Sequence, residues 1–154
     1  DCLLSRGLGD VYKRQILVKP QLGENIGACA RSMKNFGFSK LHIVSPKQAW
    51  PNNKTKATSV GAYDVIKKAK IFDNTYDAIS NFNIVISLSA RKRDINKKHI
   101  SINQFCKIIR SKKNVNFGLM FGPEASGLSN DDLSLSNFVL QIPTSKKFRS
   151  LNFI

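Results

Sequence analysis

The chain has 154 residues, of which 42% are hydrophobic, and this is enough for one domain with a buried core. Its net charge of +15 favours a polyanionic partner such as nucleic acid, although a lysine-rich solvated surface is an alternative. No apolar run approaches the ~20 residues of a membrane helix, which excludes the membrane-spanning class and fits a cytoplasmic location. The three cysteines and two histidines are scattered without ligand spacing, so no metal site is predicted.

The first 15 residues differ in character from the rest of the chain. They lack a starting Met, a sustained periodicity and the long apolar core of a secretory signal. We expect residues 1–15 to be a non-native leader and residues 16–154 to form a single domain. Removing the leader takes away three basic and two acidic residues and leaves the chain strongly basic.

Strands and helices alternate along the chain over short connections. We expect Asn25 to cap the first helix and Gly37 to end it. This alternation predicts an α/β fold with a mainly parallel sheet covered by helices on both faces. Apolar runs predict strands at 16–18, 41–44, 71–72, 84–88, 117–121 and 138–142, and helical periodicity or caps predict helices at 26–36, 57–69, 75–81, 102–110 and 131–135.

The stretch 117–128 carries the strongest local indication of a functional site. An apolar strand ends abruptly in Gly122-Pro123-Glu124, and a second glycine, Gly127, follows. A carboxylate at the end of a buried strand, beside glycines that let a ligand approach the backbone, is common in open α/β sheets. The alternative is a strand, a tight turn and a surface glutamate.

Polar residues also follow three other predicted strands. Asn25 and Arg31 follow the first strand, residues 89–93 follow the fourth, and residues 150–152 lie beyond the last. Because the carboxyl ends of parallel strands meet at one crevice, we expect these residues to converge with Glu124. The usual dinucleotide and P-loop signatures are absent. The residues alone therefore predict a basic α/β domain with a polar, glycine-lined crevice.

Three ordered motifs resemble those of the SpoU-type RNA 2′-O-ribose methyltransferases, which belong to the SPOUT α/β-knot class. The motifs are Asn25-Ile-Gly-Ala-Cys-Ala-Arg31, Phe121-Gly-Pro-Glu-Ala-Ser-Gly-Leu128, and Ile142-Pro-Thr followed by Ser150-Leu-Asn152. Residues 33–37, 61–62, 89–91 and 129–133 are most similar to the TrmJ branch of this family. The resemblance covers residues 16–154. It implies 2′-O-methylation of RNA with S-adenosylmethionine, at a pyrimidine ribose of the tRNA anticodon loop.

The resemblance also implies a role for individual residues. The implied catalytic set is Asn25, Arg31, Glu124 and Asn152. The implied S-adenosylmethionine contacts are Leu88, Ser89, Ala90, Gly122, Ile142, Arg149, Ser150 and Leu151. Arg31 is either the proton acceptor or a clamp that grips the adjacent phosphate and stabilises a developing alkoxide. Because a guanidinium stays protonated in proteins, we favour the clamp, oriented by Glu124 and Asn152.

Members of the resembled family continue beyond the third motif. There a helix threads the knot and builds much of a homodimer interface. Since the sequence ends at Ile154, we expect an inactive fragment, truncated at its C-terminus, of a homodimeric enzyme. Two other hypotheses stay open: a non-catalytic RNA-binding module of the same fold, and a methyltransferase of ribosomal RNA. Residues 47–56 and 89–93 are candidates for contacts to the RNA backbone.

Overall fold

The computed structural model describes residues 13–90, 95–112 and 114–143. Its described strands form one sheet in which every neighbouring pair is parallel. The strands are β1 (Lys13–Val18), β2 (Leu41–Val44), β3 (Lys70–Phe72), β4 (Ile84–Ser89), β5 (Lys98–Ile100), β6 (Phe117–Phe121) and β7 (Phe138–Gln141). Their order across the sheet is β3-β2-β1-β6-β4-β7-β5. The predicted parallel sheet is confirmed.

Different helices cover the two faces of the sheet. The helices are α1 (Gly23–Asn35), α2 (Asn53–Thr58), α3 (Tyr63–Lys67), α4 (Thr75–Ile79), α5 (Ile102–Ser111) and α6 (Asn130–Ser134). On one face, α1 and α3 pack on β1 and β2, and α5 packs on β4 and β6. On the other face, α4 and α6 pack on Ile16, Met120 and Val139. In the described ranges no helix is long and apolar enough to cross a membrane.

The boundaries of three elements differ from the prediction. β1 begins at Lys13, because residues 13–15 pair with β6, so the sheet includes residues that we assigned to the leader. β5 is absent from the prediction because it is three residues long and two of these, Lys98 and His99, are polar. The helix predicted at 57–69 is two helices, α2 and α3. They separate at Gly61, whose φ of 77° a right-handed helix does not allow.

A buried histidine, His42 on β2, ties this strand to β1 and α4. Its Nδ1 lies 3.0 Å from the Ala78 carbonyl oxygen, and its Nε2 lies 3.2 Å from Nη1 of Arg14. Since Arg14 can only donate and the carbonyl can only accept, the ring is neutral with its proton on Nδ1. Burial, helped by the charges of Arg14 and Lys70, lowers the pKa of His42, although the bond to Ala78 opposes this shift.

We expect the protein to lose stability through His42 when the pH falls from 7.5 to 5.5. Because the pKa of His42 is lower in the folded chain than in the unfolded one, the unfolded chain takes up the proton first. The contribution of His42 is therefore complete above ~6.5 and is lost as the pH falls through the folded pKa. Urea denaturation across this range measures the fall in the free energy of unfolding.

The His42→Asn variant keeps a donor for the Ala78 carbonyl but has no titrating ring. Its free energy of unfolding should change much less between pH 7.5 and 5.5 than that of the wild type. An unchanged slope in His42→Asn would contradict the assignment.

Candidate active site

The carboxyl ends of four neighbouring strands bring candidate site residues to one edge of the sheet. β1, β6, β4 and β7 lie side by side, and they are followed by α1, by Glu124, by Ala90 and by Ile142, respectively. In the register of β4 and β7, Ser89 pairs with Gln141. Beyond this pair the Ile142 N–H donates to the Ser89 carbonyl at 3.3 Å. Residues that are up to 117 positions apart in the sequence thus share one edge.

Glu124 is the acceptor that joins the loop after β6 to the start of α1. Its Oε2 accepts from the backbone N–H of Gln21 at 2.8 Å, and its Oε1 accepts from the N–H of Leu22 at 3.2 Å. The side-chain amide of Asn25 also donates to Oε1, at 2.9 Å. In return, Gln21 Oε1 accepts from the backbone N–H of Ala125 at 3.2 Å. A carboxylate at this position is also favoured by the positive end of the α1 dipole.

The prediction that Asn25 caps α1 is wrong. The helix begins at Gly23, and its N-cap residue is Leu22, which has no side-chain acceptor. Acceptors from distant loops take the place of a cap, because Glu124 binds the Leu22 N–H and Gln48 Oε1 binds the Gly23 N–H at 3.0 Å. Asn25 therefore lies inside the first turn, where it contributes a donor to Glu124.

The loop 122–128 is closed by its own backbone. The Gly127 N–H donates to the Pro123 carbonyl at 2.8 Å, and Gly127 has a φ of 69°. A Cβ on Gly122 would collide with the backbone of Gly127 and Leu128. Both glycines are therefore needed for the loop itself, which holds Glu124 at the start of α1.

Arg31 lies on the outer side of α1, six residues after Asn25 and about 9 Å further along the helix axis. Its side chain is exposed and forms no hydrogen bond or ion pair within the described residues. The predicted contact between Glu124 and Arg31 is thus not formed, since the bonds of Glu124 go to residues 21–25. Glu124 positions the helix that carries Arg31 and does not touch its guanidinium.

The predicted cofactor residues of the described chain lie where β4, β6 and β7 end. Leu88 and Ile142 are half-buried and pack in the same apolar cluster, and Ala90 and Gly122 are also half-buried. The other predicted site residues, Arg149, Ser150, Leu151 and Asn152, lie outside the described residues, as do residues 91–93 of the basic cluster. Among the described residues no group of His, Cys, Asp or Glu is arranged to hold a metal ion.

Cys29 is the one residue of the first motif that could act as a nucleophile. It lies on the buried side of α1, and burial raises the pKa of its thiol to about 12. The thiolate is the reactive form of cysteine, so this thiol is unreactive at neutral pH. Cys29 is therefore a core residue.

Sequence reasoning missed two residues that hold the site, Gln21 and Gln48. Gln21 links β1 to the Glu124 loop, and Gln48 caps α1 from the loop after β2. Each lies in a loop with no periodicity or motif around it. Their partners are 104 and 25 positions away, so no local signal identifies them.

A double-mutant cycle tests the link between α1 and the Glu124 loop. We expect the Ala substitutions of Asn25 and Glu124 to be coupled by about 1 kcal/mol in the free energy of unfolding, because the two side chains share a hydrogen bond. Chemical denaturation of the wild type, both single variants and the double variant provides this energy.

The matched control is the cycle between Arg31 and Glu124. Because these side chains do not touch, their Ala substitutions should be additive to within about 0.5 kcal/mol. Coupling of Arg31 that equals or exceeds that of Asn25 would contradict the observed geometry.

Comparison with known proteins identifies the family of this chain. A sequence model of the SpoU rRNA Methylase family matches residues 14–154. The tRNA (cytidine/uridine-2′-O-)-methyltransferase TrmJ of Sodalis glossinidius is 35% identical over 140 residues, which are 90% of this chain and 54% of that protein. The tRNA (cytidine-2′-O-)-methyltransferase TrmJ of Methanocaldococcus jannaschii is 36% identical over 141 residues, which are 89% of this chain and 60% of that protein.

A solved structure agrees with the fold as well. The crystal structure of TrmJ from Z. mobilis ZM4 matches with a TM-score of 0.87 at 36% identity, over 92% of this chain and 62% of that one. The chain thus spans a little over half the length of the two curated relatives. The family match begins within β1 and includes all three motifs, and the chain belongs to the SpoU rRNA Methylase family.

Proposed function

We propose that this protein transfers a methyl group from S-adenosylmethionine to the 2′-oxygen of a ribose in tRNA, at a pyrimidine of the anticodon loop. Its family and the two curated relatives, which are named tRNA 2′-O-methyltransferases, support this reaction class. The net charge of +15 suits an RNA substrate.

One observation carries the proposal: Arg31 is exposed on a helix whose start is fixed to the Glu124 loop. Three hydrogen bonds to Glu124 and one to Gln48 fix the first turn of α1. Further along the same helix, Arg31 has no partner in the part of the chain that the structure describes. A fixed helix with an unpaired guanidinium is suited to gripping a phosphate.

The chemistry of the strand ends fits S-adenosylmethionine. Leu88 and Ile142 are half-buried apolar side chains, and Gly122, also half-buried, follows the end of the neighbouring strand β6. Apolar side chains with a few main-chain polar groups are typical of the site of an adenine-containing ligand. When bound, S-adenosylmethionine supplies the methyl group from its sulfonium. Leu88, Ser89, Ala90, Gly122 and Ile142 would hold it.

In the proposed mechanism Arg31 acts through its charge. The ribose 2′-hydroxyl must lose its proton as its oxygen accepts the methyl group, so negative charge develops on that oxygen. The Arg31 guanidinium stabilises this charge and grips the adjacent phosphate. It does not take the proton, because arginine stays protonated in proteins, and the proton released from the hydroxyl passes to solvent water. Glu124 and Asn25 keep α1 in place while Arg31 does this.

We also propose that the protein acts in the cytoplasm as a homodimer. The large apolar side chains at the two ends of α1, Leu22 and Phe36, are 46% and 62% exposed. Burial of these two side chains in a dimer would remove apolar surface from water, which would favour an interface that includes α1.

Loss of a tRNA modification tests the function directly. Deleting the gene should remove 2′-O-methylation at one anticodon-loop pyrimidine of cellular tRNA, and restoring the gene should return it. If a methyl group is lost from ribosomal RNA instead, the substrate is rRNA and not tRNA. If no RNA loses a methyl group and calorimetry shows no binding of S-adenosylmethionine by the full-length protein, the molecule is a binding module and the proposal is wrong.

Arg31→Lys tests the clamp mechanism in the full-length protein. Lysine keeps the charge but loses the planar, two-pronged donor set, so we expect kcat to fall about 100-fold. Single-turnover methylation of unmodified tRNA measures this rate. Arg110→Lys, on the exposed side of α5, is the control and should keep the wild-type rate. A near-normal rate and pH profile in Arg31→Lys would refute the clamp.

A further inference from the structure

A concentration of positive charge covers the surface formed by α2 and α3. Residues 53–68, which span α2, α3 and the C-cap of α3, contain four lysines and one acidic residue, Asp64. Asp64 is already paired, because Lys34 of α1 donates to it at 2.7 Å and thereby lowers its pKa. Glu24, the acid of α1, is paired with Lys54 at 3.1 Å. The carboxylates of this region are thus occupied, and most of its lysines are uncompensated.

Two of these lysines are held against one aromatic ring. The Nζ atoms of Lys56 and Lys67 lie 5.8 and 5.3 Å from the centroid of the Tyr63 ring. Cation–π attraction therefore favours positions of both ammonium groups beside this ring, although the two groups repel each other. Neither has a carboxylate partner among the described residues. Two such cations beside one ring can both contact the same polyanion.

The same surface continues onto the face of α1 that carries Arg31. Gly27, four residues before Arg31, packs against the end of α2, and Lys34, three residues after it, binds α3 through Asp64. Residues at these spacings lie on one face of a helix. Arg31 therefore lies on the side of α1 that faces α2 and α3, and its own side chain is exposed there.

We propose that Lys56, Tyr63 and Lys67 form a binding surface for the phosphate backbone of the RNA substrate, next to Arg31. The inference rests on the proposed function, since the RNA is the substrate of that reaction. The lysines contact the phosphates. Tyr63, which is half-buried, holds the two lysine side chains through its ring. Such contacts fix affinity and register without reading sequence. The surface thereby aligns the tRNA so that the target ribose reaches Arg31.

The test removes both charges in the full-length protein and measures binding to unmodified tRNA transcript. In the variant Lys56→Gln/Lys67→Gln, the Kd near 150 mM NaCl should rise about 10-fold. The slope of log K against log salt should become shallower by about two, one for each phosphate contact. Binding of S-adenosylmethionine, measured by calorimetry, should not change, which shows that the variant is folded.

The charge-matched control is Lys107→Gln/Lys112→Gln, at exposed lysines of α5 and its C-cap, over the other half of the sheet. Its tRNA affinity should change less than about two-fold. A loss as large as that of the first variant, or no loss in the first variant, would overturn the proposed surface.

Tyr63→Leu separates the role of the ring from that of the charges. It keeps an apolar side chain on the core and both lysines, but it removes the cation–π contacts. The Kd for tRNA should rise about three-fold, and the slope of log K against log salt should change little. An unchanged Kd would show that Tyr63 does not contribute to the binding surface. The outcome is independent of the methylation test. If the protein has no methylation activity but its RNA binding depends on Lys56 and Lys67, the proposed surface is supported and the proposed reaction is wrong.

Discussion

The hydrogen bonds of the Glu124 carboxylate determine how the site is arranged. They join two loops that are about a hundred residues apart in the sequence and adjacent in the sheet, after β1 and after β6. Without this acceptor, the part-buried N–H of Gln21 would lack a partner, which is costly, and the exposed N–H of Leu22 would be left to solvent. Together with the apolar packing of α1 on β1 and β2, this carboxylate fixes the start of the helix.

The packing of α1 against α2 transmits that placement to the basic surface. A Cβ on Gly23 would lie 2.5 Å from Asn52 Oδ1, and a Cβ on Gly27 would collide with Thr58. Two residues without side chains therefore allow the two helices to approach closely. Because α2 and α3 pack on the side of α1 that carries Arg31, their lysines belong to the same side of the protein as Arg31. The glycine of the first motif is thus required for packing, and the charged surface depends on it.

The sequence predicts the sheet well and the contacts within the site poorly. The strand at 41–44 and the strand at 117–121 are found with the predicted bounds, because continuous apolar runs report burial directly. β5 escapes prediction because a short polar edge strand is stabilised only by its pairing with β7. The cap of α1 escapes it because Glu124 and Gln48 come from distant loops. Periodicity describes a segment, whereas a cap supplied by another loop depends on the tertiary fold.

The motifs identify the residues of the site but not their bonds, and the difference changes the mechanism. A carboxylate paired with Arg31 would neutralise the guanidinium and compete with an RNA phosphate for it. In the structure both oxygens of Glu124 are used by residues 21–25, and Arg31 has no described partner. The carboxylate therefore organises the helix while the charge of the arginine stays available. Asp64 and Glu24 are likewise paired with Lys34 and Lys54. The other lysines of this surface therefore remain available to bind a polyanion.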